Sequence, residues 1–392
     1  MICAVPMRII STDQGEMSMT DSERIRPIEH IKVLGSNYER GRLLGERVRP
    51  RIEHSLATYQ QLFALCDISW QQAIDKGLRY IEQSQSFFPG FIDELEGLAK
   101  GANIDFDSLF ALNSRTEILP PDFLARAISD RSPPISANLL SANECTSLAA
   151  KTSNDVWLAQ NWDWCGSQRQ ALCIVDAQTE SGFCYLTVTE AGMLAKIGIN
   201  NVGFAVTLNI LRTRDDGQNP GIPVHVLLRR LLNCESVAEA KELVCNANFS
   251  SSSNVMVADR TGDMASFELS PAGCKVLTSD KGRLCHTNHF LHHDLVENDV
   301  GRIGNQSTIN RLERSTALII DSMKFDDIKT LLSDQNDGLE SICRFPDQSL
   351  PAIAQIETVC SVVMNLTDRT LAVSGAQPSV SNYVHYTFTQ TG

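Results

Sequence analysis

The sequence contains no uninterrupted apolar run near the roughly 20 residues that a membrane-spanning helix requires, and no signal-like run follows its start. It also has no excess of positive charge: 34 lysines and arginines stand against 47 aspartates and glutamates, giving a net charge of -13. Such a chain lacks the basic surface typical of proteins that bind nucleic acids or anionic membranes. We therefore expect a soluble, cytoplasmic protein with no nucleic-acid and no membrane partner.

Paired cysteine motifs are absent as well. The 12 cysteines are scattered along the 392 residues, and none forms a CxxC pair. Four histidines cluster between residues 286 and 293, but apart from Cys285 they have no cysteine or carboxylate at the spacing of a standard zinc site. No GxGxxG motif follows a predicted strand. The sequence predicts mostly reduced thiols, no metal site and no resident cofactor.

The order of predicted elements indicates the fold class. Residues 1–25 are polar without periodicity and are interpreted as a flexible tail, and residues 26–392 as a single domain. Helical spacing in the opening third gives way to short strands up to about residue 208. Two helices, further strands, a helix at residues 309–323 and two last strands follow. This succession predicts an α+β layered sandwich rather than a doubly wound fold.

A cysteine stands at the start of a predicted β-hairpin. Cys145 precedes β-compatible residues, residues 151–155 form a polar turn, and a second apolar strand ends in Asn161-Trp162-Asp163-Trp164. An amide and a carboxylate among indoles are unusual at a strand end unless they have a function. Taken alone, Cys145 is more typical of a buried core cysteine than of a nucleophile.

Two features lie upstream of this hairpin. After the apolar residues Leu109, Phe110 and Leu112, the residues Asn113, Arg115 and Glu117 alternate as polar neighbours. This pattern fits either an ion-pair network or the wall of a polar pocket, and we favour the pocket. A segment containing two Pro-Pro pairs then leads up to Cys145. Its expected exposure makes it a candidate lid or cleavage region.

Seven short motifs connect these features to a known family. Their order and approximate spacing resemble those of the acyl-CoA:6-aminopenicillanic acid (isopenicillin N) acyltransferase family of cysteine N-terminal-nucleophile (Ntn) hydrolases, and the resemblance spans residues 31–373. The motifs are Leu112-Asn113-Ser114-Arg115-Thr116-Glu117, Cys145-Thr146, Gln160-Asn161-Trp162-Asp163, Thr189-Glu190-Ala191-Gly192, Lys196-Ile197-Gly198-Ile199-Asn200, Phe267-Glu268-Leu269-Ser270-Pro271 and His286-Thr287-Asn288-His289.

The resemblance implies a four-layer αββα Ntn-hydrolase sandwich that is made as an inactive precursor, a zymogen. The precursor would cut itself between Glu144 and Cys145 into an α chain, residues 1–144, and a β chain, residues 145–392, which stay together. It also implies site residues, namely Cys145 as nucleophile, Asp163 as the carboxylate beside it, Asn288 as oxyanion donor, and Ser270, Arg115 and Asn161 as supporting or substrate-binding residues.

The implied chemistry is coherent near neutral pH. An α-amino group has a reference pKa of about 7.7 to 8.0 and a thiol one of about 8.5, so a freed Cys145 amine can take the thiol proton. Asn288 would then donate amide hydrogens to the tetrahedral oxyanion, an effect of roughly 2.7 to 4 kcal/mol per donor in other enzymes.

Two departures from the family pattern stand out. Glu144 occupies the position where family members commonly have glycine, and a residue with a Cβ reaches strained backbone angles less readily. Gln355 lies where a loose alignment expects an arginine, which argues against an identical substrate.

The function predicted first is an amidohydrolase or N-acyltransferase acting on linear C–N bonds. It forms a Cys145 thioester from a small amide or from acyl-CoA, a candidate co-substrate, and passes the acyl group to an amine or to water. The alternative is an uncleaved, catalytically inactive Ntn-fold binding protein, which Glu144 favours. A cytosolic thiol sensor is a third hypothesis, and no paired cysteine spacing supports it.

Overall fold

The computed structural model describes residues 28–120, 145–279, 281–302 and 305–388. Its first part contains one strand and six helices: β1 (Glu29–Leu34), α1 (Asn37–Ala64), α2 (Trp70–Leu78), α3 (Ile81–Phe87), α4 (Pro89–Ala102), α5 (Phe106–Asn113) and α6 (Arg115–Ile118). The second part begins with strands and continues through two helical pairs. Its elements are β2 (Thr146–Lys151), β3 (Val156–Cys165), β4 (Leu172–Gln178), β5 (Cys184–Glu190), β6 (Ile197–Asn200), β7 (Phe204–Ile210), α7 (Val224–Leu231), α8 (Val237–Cys245), β8 (Ser253–Asp259), β9 (Met264–Ser270), β10 (Gly273–Leu277), β11 (Arg283–His286), α9 (Gln306–Leu318), α10 (Phe325–Leu332), β12 (Ile356–Asn365), β13 (Thr370–Ser374) and β14 (Tyr383–Thr387).

The described strands form two sheets. The larger has the order β1-β4-β5-β6-β7-β8-β9-β10, and the smaller has the order β11-β2-β3-β12-β13-β14. Only the β1–β4 pair is parallel among the described strands, and all other neighbours are antiparallel. The hairpin predicted after Cys145 is therefore β2–β3, in the middle of the smaller sheet.

Three apolar cores show how the sheets are layered. The first joins α1, α4, α5, α7 and α8 to the outer face of the larger sheet, and the second lies between the two sheets. The third joins α10 and the segment after α9 to the outer face of the smaller sheet, through residues such as Leu148 and Trp157. Helices thus cover both outer faces of a sheet pair, which confirms the predicted α+β, four-layer αββα sandwich.

Capping residues explain where several helices begin and end. Ser36 forms a capping box with Glu39 at the start of α1, and the Ser236 hydroxyl accepts a hydrogen bond from the Glu239 backbone at the start of α8, as its position predicts. Helix α4 ends at Ala102, because Asn103 adopts the left-handed conformation typical of a helix end. Among the described helices, none is both long and apolar enough to cross a membrane.

One helix boundary and two additional elements differ from the sequence prediction. The helix expected at 309–323 ends at Leu318, and the next turns form the separate helix α10, which was not predicted. Strand β14 was not predicted either. The tail at 1–25, the segment with the Pro-Pro pairs and Glu144 lie outside the described residues, so the tail, the single domain and the division into α and β chains stay predictions.

Helices α1 and α4 pack at glycines. A methyl group on Gly97 would meet the carbonyl oxygen of Tyr38, and one on Gly41 would meet the carbonyl oxygen of Glu94. Both obstacles are backbone atoms in helices, which cannot turn aside as a side chain would.

Gly97→Ala is therefore expected to lower the free energy of unfolding by about 1–3 kcal/mol, although alanine is the better helix former. Denaturant unfolding measures the change. The control is Glu96→Ala at an exposed neighbouring position, where a change within about 0.5 kcal/mol is expected. A Gly97→Ala variant as stable as the control would show that the two helices can separate without loss.

Candidate active site

Cys145 lies immediately before β2, where that strand enters the space between the sheets. Thr146 pairs with Asn161 on β3, so the same register places Cys145 opposite Trp162. Cys145 is 5% exposed and belongs to the core between the sheets, together with Trp162. Both residues face the larger sheet.

The backbone of Cys145 is held on both sides. Its N–H donates to Asn288 Oδ1 at 2.7 Å, and its carbonyl oxygen accepts from Arg311 Nη1 at 2.8 Å. Arg311 also donates to Thr146 Oγ1 at 3.1 Å and to Asn288 Oδ1 at 3.2 Å. These bonds fix the position of the Cys145 backbone nitrogen.

Asn288 is fixed in turn by its neighbours. Its backbone N–H donates to Thr308 Oγ1 at 2.8 Å, in the first turn of α9, and its Nδ2 donates to the carbonyl oxygen of Ile210 at 3.0 Å. An amide nitrogen carries two hydrogens. Asn288 therefore presents its oxygen to Cys145 and keeps a second amide hydrogen for another acceptor.

Asp163 is a buried carboxylate with one engaged oxygen. Its Oδ1 accepts from Thr358 Oγ1 at 2.6 Å, whereas its Oδ2 has no hydrogen-bond partner among the described residues. Burial raises the pKa of Asp163 to about 7, and the nearby Arg311 guanidinium opposes that rise. The free oxygen is thus suited to accept a hydrogen bond or a proton.

The thiol itself is not ionised by its surroundings. Burial raises the pKa of Cys145, and the carboxylate of Asp163 raises it further. The positive charges of Lys196 and Arg311, with a hydrogen bond from the Asp163 backbone, act in the opposite direction. The net result is a protonated thiol that needs a base before it can act as a nucleophile.

Arg311, a residue that sequence reasoning missed, is fully buried on α9. Burial lowers its pKa and the charge of Asp163 opposes that effect. The arginine expected near Gln355 is not there: Gln355 Nε2 donates to the carbonyl oxygen of Leu350 at 2.9 Å. The positive charge beside Cys145 comes from another element of the fold.

Two predicted site residues are engaged elsewhere. Asn161 donates both amide hydrogens to carbonyl oxygens, of Leu332 at 2.8 Å and Ile342 at 2.9 Å, so it holds α10 to the sheet and has no donor left for a substrate. Ser270 bonds within the β9–β10 turn, to Ala272 and Gly273. None of the hydrogen bonds of the described residues joins Ser270 to Cys145, Asp163 or Asn288.

The segment around Arg115 forms an ion-pair network rather than the pocket wall that we favoured. Arg115 Nη2 donates to Glu190 Oε2 at 3.1 Å, and its guanidinium lies between the rings of Tyr59 and Trp164, at 4.9 and 5.0 Å from their centroids. Glu117 Oε1 accepts from the Val224 backbone and from the Ser251 hydroxyl. Burial raises the pKa of Glu117 to about 7.

The histidine cluster divides into two parts. His286 Nε2 bonds Glu268 Oε1 at 2.9 Å, which anchors the strand that leads to Asn288. His292, His293 and Asp294 place their ligand atoms within 4.8 Å of one another near the surface, but Lys275 already holds the Asp294 carboxylate. The expectation that the protein has no metal site stays a prediction. The cysteines of the described residues are free thiols.

The αββα sandwich, with a cysteine at the start of an inner strand, places the chain among the Ntn hydrolases. It belongs to the family described as acyl-coenzyme A:6-aminopenicillanic acid acyl-transferase, whose model matches residues 150–379 and begins just after Cys145. This confirms the family inferred from the seven motifs.

The individual proteins that resemble this chain have low sequence identity to it. The 40 kDa form of acyl-coenzyme A:6-aminopenicillanic-acid-acyltransferase from Emericella nidulans is 29% identical over 225 residues, which cover 56% of this chain and 58% of the relative. Conjugated bile acid hydrolase from Clostridium perfringens, in a mutant form, aligns with a TM-score of 0.41 at 15% identity, covering 63% of this chain and 98% of its own. Penicillin V acylase from Agrobacterium tumefaciens gives 0.41 at 14% identity, covering 59% and 83%. The chain thus spans little more than half the length of its curated relative.

Proposed function

We propose that this protein is an autoproteolytic Ntn enzyme in which Cys145 forms a thioester with an acyl group and passes it to an amine or to water. The observation that carries the proposal is the placement of the Cys145 nitrogen. It lies 2.7 Å from Asn288 Oδ1, and Asp163, on the neighbouring strand, has a buried oxygen without a partner among the described residues. An uncleaved amide nitrogen makes no use of that oxygen, whereas an α-ammonium would bind it.

Self-cleavage makes that amine. The Cys145 sulfur attacks the carbonyl carbon of Glu144, the C–N bond breaks, and the nitrogen takes up a proton. Water then hydrolyses the resulting thioester, which leaves a carboxylate on Glu144 and restores the thiol. The products are an α chain of residues 1–144 and a β chain of residues 145–392 that remain associated.

In turnover the freed amine serves as the base. It takes the thiol proton, the thiolate attacks the acyl carbonyl, and the amine returns the proton to the leaving group. The positive charge of Arg311, which bonds the same Asn288 oxygen, disfavours protonation of the amine and so keeps it a base. The remaining Asn288 amide hydrogen is available for the oxyanion.

The acyl donor we propose is a small linear amide or acyl-CoA, and the acceptor an amine or water. The family name and the Emericella nidulans relative support acyl transfer from coenzyme A. The proposed scheme requires no cofactor besides the acyl donor. The α and β chains of one precursor are each other's protein partners. We propose that the enzyme works in the cytoplasm.

The intact mass of the purified protein tests the proposal. Two polypeptides are expected, and N-terminal sequencing of the second should begin Cys145-Thr146-Ser147. A single full-length chain that still shows amidase turnover would refute the processing scheme. A single chain without turnover would favour the inactive binding protein instead.

A further inference from the structure

A second buried cation lies on the same side of β3 as Cys145. Lys196, just before β6, has a side chain that is 4% exposed, and its Nζ is 3.3 Å from the centroid of the Trp162 ring. Trp162 is the residue opposite Cys145 in the extended β2–β3 register. The ammonium of Lys196 and the thiol of Cys145 therefore share the space between the sheets, and the charge of Lys196 acts to lower the pKa of the thiol.

The ammonium has no hydrogen-bond acceptor among the described residues. The carboxylate of Glu190 is its ion-pair partner, but Oε2 is 3.9 Å away, too far for a hydrogen bond. Both oxygens of Glu190 are already used, since Oε1 accepts from Tyr59 at 2.7 Å and Oε2 from Arg115 at 3.1 Å. The three N–H donors of the ammonium thus face an aromatic ring and an ion-pair partner beyond hydrogen-bond distance.

Charge in this region is unbalanced. Two cations, Lys196 and Arg115, share the single carboxylate of Glu190, and an uncompensated buried charge is costly. Burial lowers the pKa of Lys196 to about 7, and Arg115 lowers it further, whereas Glu190 opposes the change. A ligand anion would supply both the missing acceptor and the missing negative charge.

We propose that Lys196 is an anion subsite beside Cys145, and that the preferred acyl donor carries a carboxylate which this ammonium binds. The acyl chemistry in this statement rests on the proposed function, whereas the binding of an anion does not. The thiolate of Cys145 is a competing anion, but it forms only during turnover, so it cannot serve as the resident partner.

Matched donors test the subsite. One pair is N-benzoylglycine and N-benzoylglycinamide, with the carboxylate on the amine side. The other is glutaric acid monoanilide and its carboxamide, with the carboxylate on the acyl side. The wild-type protein is expected to prefer the carboxylate about tenfold or more in kcat/KM for one of the pairs, because a charge-assisted hydrogen bond is replaced by a neutral contact in the carboxamide.

Lys196→Met should bring that preference ratio close to one, and Lys196→Arg should restore part of it. Lys151→Met is the control, since Lys151 is exposed and donates to the carbonyl oxygen of Thr261. The control should keep the wild-type ratio. The subsite is refuted if the wild-type protein shows no preference in either pair, if the preference survives in Lys196→Met, or if Lys196→Met slows both members of a pair equally.

Binding without turnover separates the two proposals. N-benzoylglycine or glutaric acid monoanilide should raise the melting temperature of the wild-type protein, and neither carboxamide should match it. That shift should vanish in Lys196→Met, whose own melting temperature also shows whether the variant folds. A protein that turns over no donor would refute the proposed function but not the anion subsite. In that case the rise in melting temperature with the carboxylate compounds, or its absence, would decide whether the subsite exists.

Discussion

Cys145→Ala is expected to abolish both self-cleavage and acyl transfer, because the Cys145 sulfur is the atom that forms the thioester in the proposed scheme. Cys145→Ser should cleave slowly and turn over little, since a hydroxyl is a weaker nucleophile than a thiolate. Intact mass measures the first effect, and release of amine from an anilide donor the second. Nucleophile removal costs about a millionfold in kcat in another acyl-transfer enzyme, so the activity of Cys145→Ala is expected to fall to background.

The controls are the other thiols. Cys184 is half-buried at the start of β5 and Cys173 is buried in the core under α1, so Cys184→Ala and Cys173→Ala should both process and turn over like the wild type. Burial raises the pKa of Cys173 to about 12, which leaves it inert as a nucleophile. Comparable rates in Cys145→Ala and in the wild type would exclude Cys145 as the nucleophile, whatever the controls do.

The structure brings together three residues that the motifs singled out separately. Cys145 and Asp163 were predictable as neighbours, because a polar turn between two apolar strands sets a hairpin whose pairing follows from its length. Asn288 was predictable only from the family resemblance, since it reaches the Cys145 backbone across 143 residues of sequence. A contact of that kind depends on how separate elements pack, which local pattern does not specify.

Arg311 is a second residue whose contact with Cys145 the local sequence pattern does not specify. It lies on a helix with polar residues on several sides, where an arginine is ordinarily solvent-exposed, and its contact with Cys145 spans 166 residues. Asn161 is a predicted site residue whose side-chain hydrogen bonds lie elsewhere. It is two residues from Asp163 and faces the same side of β3, yet its amide anchors α10. Asn161 and Asp163 are similar in size and lie on the same face of β3, so the sequence alone does not show which side chain anchors a neighbouring helix.

Asn288→Ala is expected to lower kcat by about a hundredfold to a thousandfold in correctly cleaved enzyme, through loss of a donor to the oxyanion. The structure adds a second role, since Asn288 Oδ1 also accepts from the Cys145 nitrogen and from Arg311. Alanine removes both roles together. Processing must therefore be verified by intact mass before kcat and KM are compared.

Asn288→Asp separates the two roles. An aspartate keeps an oxygen for the Cys145 nitrogen and for Arg311, whose guanidinium neutralises the added charge, but it has no amide hydrogen to give. If oxyanion donation dominates, Asn288→Asp should be about as slow as Asn288→Ala in kcat, while its precursor cleaves more completely because Cys145 stays in place. An aspartate variant with nearly wild-type kcat, or a cleaved alanine variant that loses less than about tenfold, would show that Asn288 positions the nucleophile and that the oxyanion is stabilised by another group.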